Sequence, residues 1–202
     1  MHSDPAMLGT SKYIRAERDF YATIDHGVTN ALASVLLREG FLTKSDTIWE
    51  CACGDWEMAG VLERHFAEVV GTDIEPLHPA AMKMDFLNDA PDFICDAIIT
   101  NPPFGKLVTE FMSRGVQHLR TGQTGLVAML GRNELDCSGK ERTHLFKNCP
   151  EFSAKIVLTW RPRWVKGSTG SPRHQYAWYV YEPAAQVKRQ GGPRLIYASR
   201  AG

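Results

Sequence analysis

The strongest constraint on the fold is a rhythm that sets in near Ile48, where short apolar runs closed by glycine, proline or an acid alternate with stretches of helical pattern. Parallel strands cannot be joined by a tight turn, so the chain must return to the same edge through a crossover helix. The pattern predicts strands at about 47–53, 68–74, 82–86, 93–100, 125–130, 154–160 and 175–181, with helices at about 57–66, 107–119 and 139–148. The last two strands, joined by a long loop, close the sheet as an antiparallel hairpin. The expected fold class is therefore α/β, a doubly wound and mostly parallel seven-stranded sheet. At 202 residues the chain suits one well-buried core. We expect a single domain over 18–183, a flexible arm over 1–17 and a tail over 184–202, of which Leu195-Ile196-Tyr197 can dock on the sheet.

In such sheets ligands bind beyond the carboxyl ends of the strands, where the strand order reverses, so the turns after the strands are the places to search. The run 93–100 is followed by Asn101-Pro102-Pro103-Phe104. Proline fixes φ and has no N–H to donate, so two in succession hold an extended backbone whose carbonyls stay available as acceptors. The Asn101 side-chain oxygen and the Pro102 carbonyl can together accept both hydrogens of a conjugated amino group such as adenine N6. Phe104 can stack on the ring. Two acceptors that draw this nitrogen toward tetrahedral geometry aim its lone pair at an electrophile, and positioning does the rest.

The first strand-to-helix turn reads Glu50-Cys51-Ala52-Cys53-Gly54-Asp55-Trp56. Gly54 lets a ligand approach the backbone, and Glu50 can receive a cationic amino group. Asp73 ends the second strand, at the spacing where a carboxylate takes both hydroxyls of a ribose. Asp85 opens the turn after the third strand and can take an adenine amino group. The turn has one glycine and no GxGxxG, so it offers no cradle for a pyrophosphate. A ligand with a ribose, an adenine and an amino-acid portion but no phosphate fits better. S-adenosylmethionine is such a ligand, and its sulfonium methyl is the missing electrophile.

Net charge is zero, but residues 151–202 hold 9 Lys and Arg against 2 Asp and Glu, leaving 14 and 21 for the rest. The C-terminal part is where a polyanion docks. Its loop 161–174 carries Arg161, Arg163, Trp164, Lys166 and Arg173, the mixture of basic and aromatic residues that suits phosphates and stacked bases. The five cysteines (Cys51, Cys53, Cys95, Cys137 and Cys149) lack the spacing of a zinc site and read as reduced and structural. No metal is expected, and no apolar run is long enough to span a membrane. The N-terminus lacks the apolar core of a signal peptide, so a cytoplasmic address is expected.

On these residues the chain resembles a Rossmann-like class I S-adenosylmethionine-dependent amino-methyltransferase, of the compact kind that methylates adenine N6. Glu50-Cys51-Ala52-Cys53-Gly54 is similar to the family's first motif, Asp73 to its ribose-binding acid, Asp85-Phe86 to its adenine-contacting pair, and Asn101-Pro102-Pro103-Phe104 to its catalytic tetrad. Arg18-Asp19-Phe20-Tyr21-Ala22-Thr23 resembles the segment before the first strand, which implies Phe20, Tyr21 and Thr23 near the methionine end of the cofactor. The resemblance further implies Ile74 and Asn101 as cofactor contacts and spans about residues 18–181. Asp55-Trp56 departs from the pattern, standing where many members have a further glycine, and no separate target-recognition domain is visible. The implied activity is N-methylation of a nucleic acid, DNA before RNA, by a monomer or weak dimer. Guanine N2 or adenine N6 in RNA, protein glutamine, and an inactive cofactor-binding subunit remain alternatives.

Overall fold

The computed structural model describes residues 23–137, 139–164 and 171–200. Eight strands form one sheet: β1 (Thr47–Glu50), β2 (Glu68–Asp73), β3 (Met82–Lys83), β4 (Ala97–Thr100), β5 (Leu126–Arg132), β6 (Phe152–Leu158), β7 (Tyr176–Tyr181) and β8 (Arg194–Ala198). Their order is β3-β2-β1-β4-β5-β7-β6-β8. Strands β1 to β5 are mutually parallel, and β7 runs antiparallel between β5 and β6. Winding reverses between β1 and β4, so the crevice of an open α/β sheet lies at the ends of those two strands. The expected fold class stands, with one correction in the strand count. Residues 194–198 form an eighth strand, parallel to β6, because Ile196 and Ala198 turn inward while Leu195 and Tyr197 face solvent. That alternation is what a half-covered edge strand requires.

Among the described residues four α-helices accompany the sheet: α1 (His26–Arg38), α2 (Ala59–Leu62), α3 (Leu107–Arg120) and α4 (Ala184–Arg189). Helix α1 was not among the expected elements. It buries Val28, Ala31, Leu32, Val35 and Leu36, the i, i+3, i+4, i+7, i+8 stripe of an amphipathic helix. That stripe packs on the face of the sheet that carries Ile48, Ile99, Leu130, Ile156 and Trp178. On the other face α3 presents Phe111, Met112 and Val116 to Trp49, Ile98, Val127 and Met129. Within the stretch expected as a helix over 139–148, Lys140–Leu145 forms a 3-10 turn, and a shorter one, Leu135–Cys137, precedes it. Pieces this short do not repay the nucleation of an α-helix and take the tighter turn instead.

The central strands are buried from both sides: Ala97, Ile98, Ile99 and Thr100 are all fully covered, and β7 is buried along its whole length. Trp49 is wholly buried, donates its indole N–H to Thr72 Oγ1 at 2.9 Å, and meets Phe86 and Phe93 edge-on. Burial of a ring this size with its polar atom satisfied is among the larger single contributions to a core. It also fixes β1 against β2, and so places the two turns that carry Glu50 and Asp73.

Candidate active site

Glu50 ends β1 and is 2% exposed, and among the described residues its Oε2 has no hydrogen-bond partner. Burial pushes the carboxyl well above the usual range, and the charges of Asp73 and Asp55 push it further. Such a setting favours the neutral carboxyl, and a nearby cation would favour the charged one. Asp73 ends β2, two residues beyond Gly71, the cross-strand partner of Glu50. Its Oδ2 accepts the Gly54 N–H at 2.9 Å and its Oδ1 the Glu75 N–H at 2.8 Å, which ties the two turns together and orients the carboxylate. Gly54 sits at φ +49°, and the Cys53 N–H reaches the Thr72 carbonyl. Burial pushes the Cys51 thiol up and raises Cys53 to about 12, so both are protonated fillers and not reactive thiolates. Ala52 lies between them, half-buried.

Trp56, the departure from a glycine-rich turn, has φ +75°, a backbone state bulky residues rarely adopt. Its ring lies so close on Gly71 of β2 that a Cβ there would come within 2.2 Å of it, and it stacks on His78 at 4.9 Å. Glycine at 71 makes room for tryptophan at 56. The bulky residue therefore sits against the sheet, and its fit depends on a position 15 residues later in the chain.

After β2, Ile74 is 53% exposed beside Asp73 and offers an apolar surface to a flat ring. Asp85 is engaged in its own turn: Oδ1 accepts the Leu87 N–H and Oδ2 the Asn88 amide. The Phe86 ring points into the core against Trp49, Phe111 and His118, so this residue can meet a ligand only through its backbone. His118 beneath it is buried and lowered to about 4, by burial first and by Arg114 second.

Asn101 follows β4 at the crevice. Its Nδ2 donates to Thr23 Oγ1 at 3.1 Å, and its Oδ1 is buried. Pro102 is buried and Pro103 half-buried, and the turn closes at Gly105 with φ +87°, a conformation glycine adopts without a steric penalty. Phe104 is half-buried in an aromatic trio. Its ring centre lies 6.0 Å from Trp164, edge-on, and 5.8 Å from Tyr176, while Trp164 and Tyr176 meet at 4.9 Å. The trio joins the tetrad to the basic segment, because Trp164 follows β6 and Tyr176 begins β7 opposite Arg132. Arg161, Arg163 and Arg173 are exposed along this rim.

Glu50, Gly54, Asp73, Ile74, Asn101 and Phe104 thus lie at or just beyond the carboxyl ends of β1, β2 and β4, with Thr23 bonded to Asn101 and Trp164 against Phe104. Phe20, Tyr21 and Lys166 lie outside the described residues. Tyr176 was missed; its cue was its place as the first apolar residue after the basic loop. Asp25 and Trp160, which meet at 3.3 Å, were missed as a pair because 135 residues separate them. Among the described residues no group of three or more His, Cys, Asp or Glu is placed to hold a metal ion, and no helix is long and apolar enough to cross a membrane.

No protein-family model matches the sequence, and no curated protein matches it either. Solved structures match the fold. A Listeria monocytogenes protein described as a class I S-adenosylmethionine-dependent methyltransferase superposes with a TM-score of 0.60 at 15% identity, over 95% of this chain and 68% of that one. A Pyrococcus horikoshii protein described as an RNA methyltransferase gives 0.59 at 14%, over 85% and 90%. A Vibrio vulnificus protein described as a modification subunit of a type I restriction enzyme gives 0.57 at 11%, over 91% of this chain and 48% of that one. The fold is the Rossmann-like fold of class I methyltransferases.

Proposed function

We propose that this protein transfers a methyl group from S-adenosylmethionine to an exocyclic amino group of a nucleic-acid base, with adenine N6 in DNA the first acceptor to test. The observation that carries the reading is the presence, at the carboxyl ends of the neighbouring strands β1 and β4, of a buried carboxyl oxygen with no hydrogen-bond partner among the described residues and an asparagine whose amide nitrogen is already committed. Glu50 fits the cofactor's ammonium, since a cation beside this oxygen stabilises the carboxylate and lets its proton leave to solvent. Asp73, oriented by two backbone N–H groups, fits the ribose hydroxyls, and Ile74 fits the adenine face, with Asp85 and the Phe86 backbone at its rim.

When bound, S-adenosylmethionine supplies an electrophilic methyl on a sulfonium. The chain's residues orient the acceptor. With Nδ2 held by Thr23, the Asn101 amide is set to present its oxygen to the incoming amino group, and the Pro102 carbonyl takes the second hydrogen. Phe104 stacks on the base, and the proton released after transfer passes to water. The base reaches this site flipped from its stack or from a single strand, because a stacked amino group cannot meet both acceptors and the methyl. The exposed Arg161, Arg163 and Arg173, with Lys166, bind the flanking phosphates.

A second reading, adenine or guanine in RNA, draws support from the mutual coverage with the Pyrococcus protein described as an RNA methyltransferase, and from the small size of both chains. Incubation with labelled S-adenosylmethionine and, in parallel, duplex DNA, single-stranded DNA, ribosomal RNA and a protein extract separates the readings. Label in DNA supports the first and label only in RNA the second. Label only in protein, or cofactor binding without transfer to any acceptor, overturns both.

A further inference from the structure

We infer that Asp25 is a positioning residue for Asn101, and that the C-terminal strand β8 takes part in the site through Arg200; the inference rests on the proposed role of Asn101. The Thr23 hydroxyl that holds the Asn101 amide belongs to residues 23–25, which lie in neither helix nor strand. The nearest fixed point is Asp25, two residues on, whose side chain is 4% exposed. Its Oδ1 accepts the Arg200 Nη2 at 2.8 Å, its Oδ2 accepts the Trp160 indole N–H at 3.3 Å, and its carbonyl accepts the Val28 N–H that starts α1. One carboxylate thus joins the first turn of α1, the end of β6 where the basic segment leaves the sheet, and the residues just beyond β8.

Gly27 is part of the same device. A Cβ there would stand 3.1 Å from Asp25 Oδ1 and 3.2 Å from the Arg200 side chain, so glycine lets the guanidinium reach the carboxylate. A buried carboxylate with an arginine and an indole N–H on its two oxygens has one orientation, because releasing either donor leaves an unsatisfied polar atom. The segment carrying Thr23 inherits that orientation, and the Asn101 amide inherits it from Thr23. A carbonyl oxygen that must meet a reacting amino group tolerates little displacement.

The test uses the full chain with Asp25→Asn, Arg200→Ala and Arg200→Lys. The side-chain amide resonances of Asn101 are assigned by their loss in Asn101→Asp, and methyl transfer and thermal unfolding are measured alongside. Asp25→Asn and Arg200→Ala are expected to move the Asn101 amide resonances and to lower kcat roughly ten- to hundred-fold, with KM for the cofactor changed by less than about three-fold. Arg200→Lys, which keeps the ion pair, is expected to restore both. Unmoved amide resonances in Asp25→Asn overturn the inference, as does a fall in kcat that Arg200→Lys fails to restore. If no acceptor is methylated, the functional proposal fails, while the amide resonances still decide whether Asp25 and Arg200 set Asn101.

Discussion

Replacing Glu50 by glutamine should stabilise the free protein and weaken its hold on S-adenosylmethionine, two effects of opposite sign from one substitution. Glu50 is 2% exposed and its carboxyl is raised well above 4.5, by burial first and by Asp73 and Asp55 after it. Below pH 4.5 the residue is neutral in both folded and unfolded chains, and titration there costs nothing. Above pH 4.5 the unfolded chain releases the proton while the folded chain keeps it, so stability falls by about 1.4 kcal/mol per pH unit until the folded value is passed. Glutamine never titrates, so the penalty disappears. For a domain of this size each kcal/mol is worth about 2–4 °C, so the variant should melt several degrees higher at neutral pH and equally at pH 4. Binding moves the other way: loss of a charged partner for a buried ammonium costs about 1.5–3 kcal/mol, or roughly ten- to hundred-fold in Kd. Calorimetry of the wild-type protein in buffers of different ionisation enthalpy should show net proton release on cofactor binding, and the Gln variant should not. A variant that melts lower and binds the cofactor as tightly as wild type would refute this account of Glu50.

His118 acts in the opposite pH window. Its folded value is lowered to about 4 from 6.5, so the unfolded chain takes up a proton first as pH falls. Urea titrations should show stability declining by up to about 3 kcal/mol between pH 6.5 and 4, and His118→Phe should flatten that limb. Gly71→Ala drives a methyl into the Trp56 ring, 2.2 Å from the nearest carbon, and should cost about 1–3 kcal/mol in chemical denaturation. Trp56→Gly on that background should recover much of the loss, and additive costs in the double-mutant cycle would contradict the proposed fit. Trp164→Ala should raise KM for the nucleic acid while leaving cofactor affinity unchanged, because Trp164 meets Phe104 and Tyr176 and lies on the basic rim. An unchanged KM would remove Trp164 from the acceptor side.

The sheet was legible because its information is local. Runs such as 97–99 and 126–130 are apolar throughout, as strands buried on both faces tend to be, and their spacing demands crossovers. Helix α1 has an equally plain stripe from Val28 to Leu36 but stands before the first strand, outside the alternation that organised the reading. Strand β8 was visible only as a short alternating run, and what makes it a strand is the edge of β6, whose Ala154 pairs with Arg194 far along the chain. The acids proposed to face the cofactor were legible from their positions at strand ends. The fit of Trp56 on Gly71, the carboxylate of Asp25 shared by Trp160 and Arg200, and the trio of Phe104, Trp164 and Tyr176 are contacts between distant segments, and no local pattern encodes them. Phe86 illustrates the converse: its place beside Asp85 suggested a ligand, while its ring belongs to the cluster around Trp49.

The account rests most heavily on Asn101 as the acceptor that orients an amino group. Wild-type protein and Asn101→Ala, both shown to bind S-adenosylmethionine, should be given labelled cofactor and nucleic acid, and the digested nucleosides separated by mass spectrometry. The expected result is N6-methyladenine from the wild-type reaction and none above background from the variant. The same methylated nucleoside at equal yield from both proteins, or no methylated base from the wild type with any nucleic acid, would contradict it.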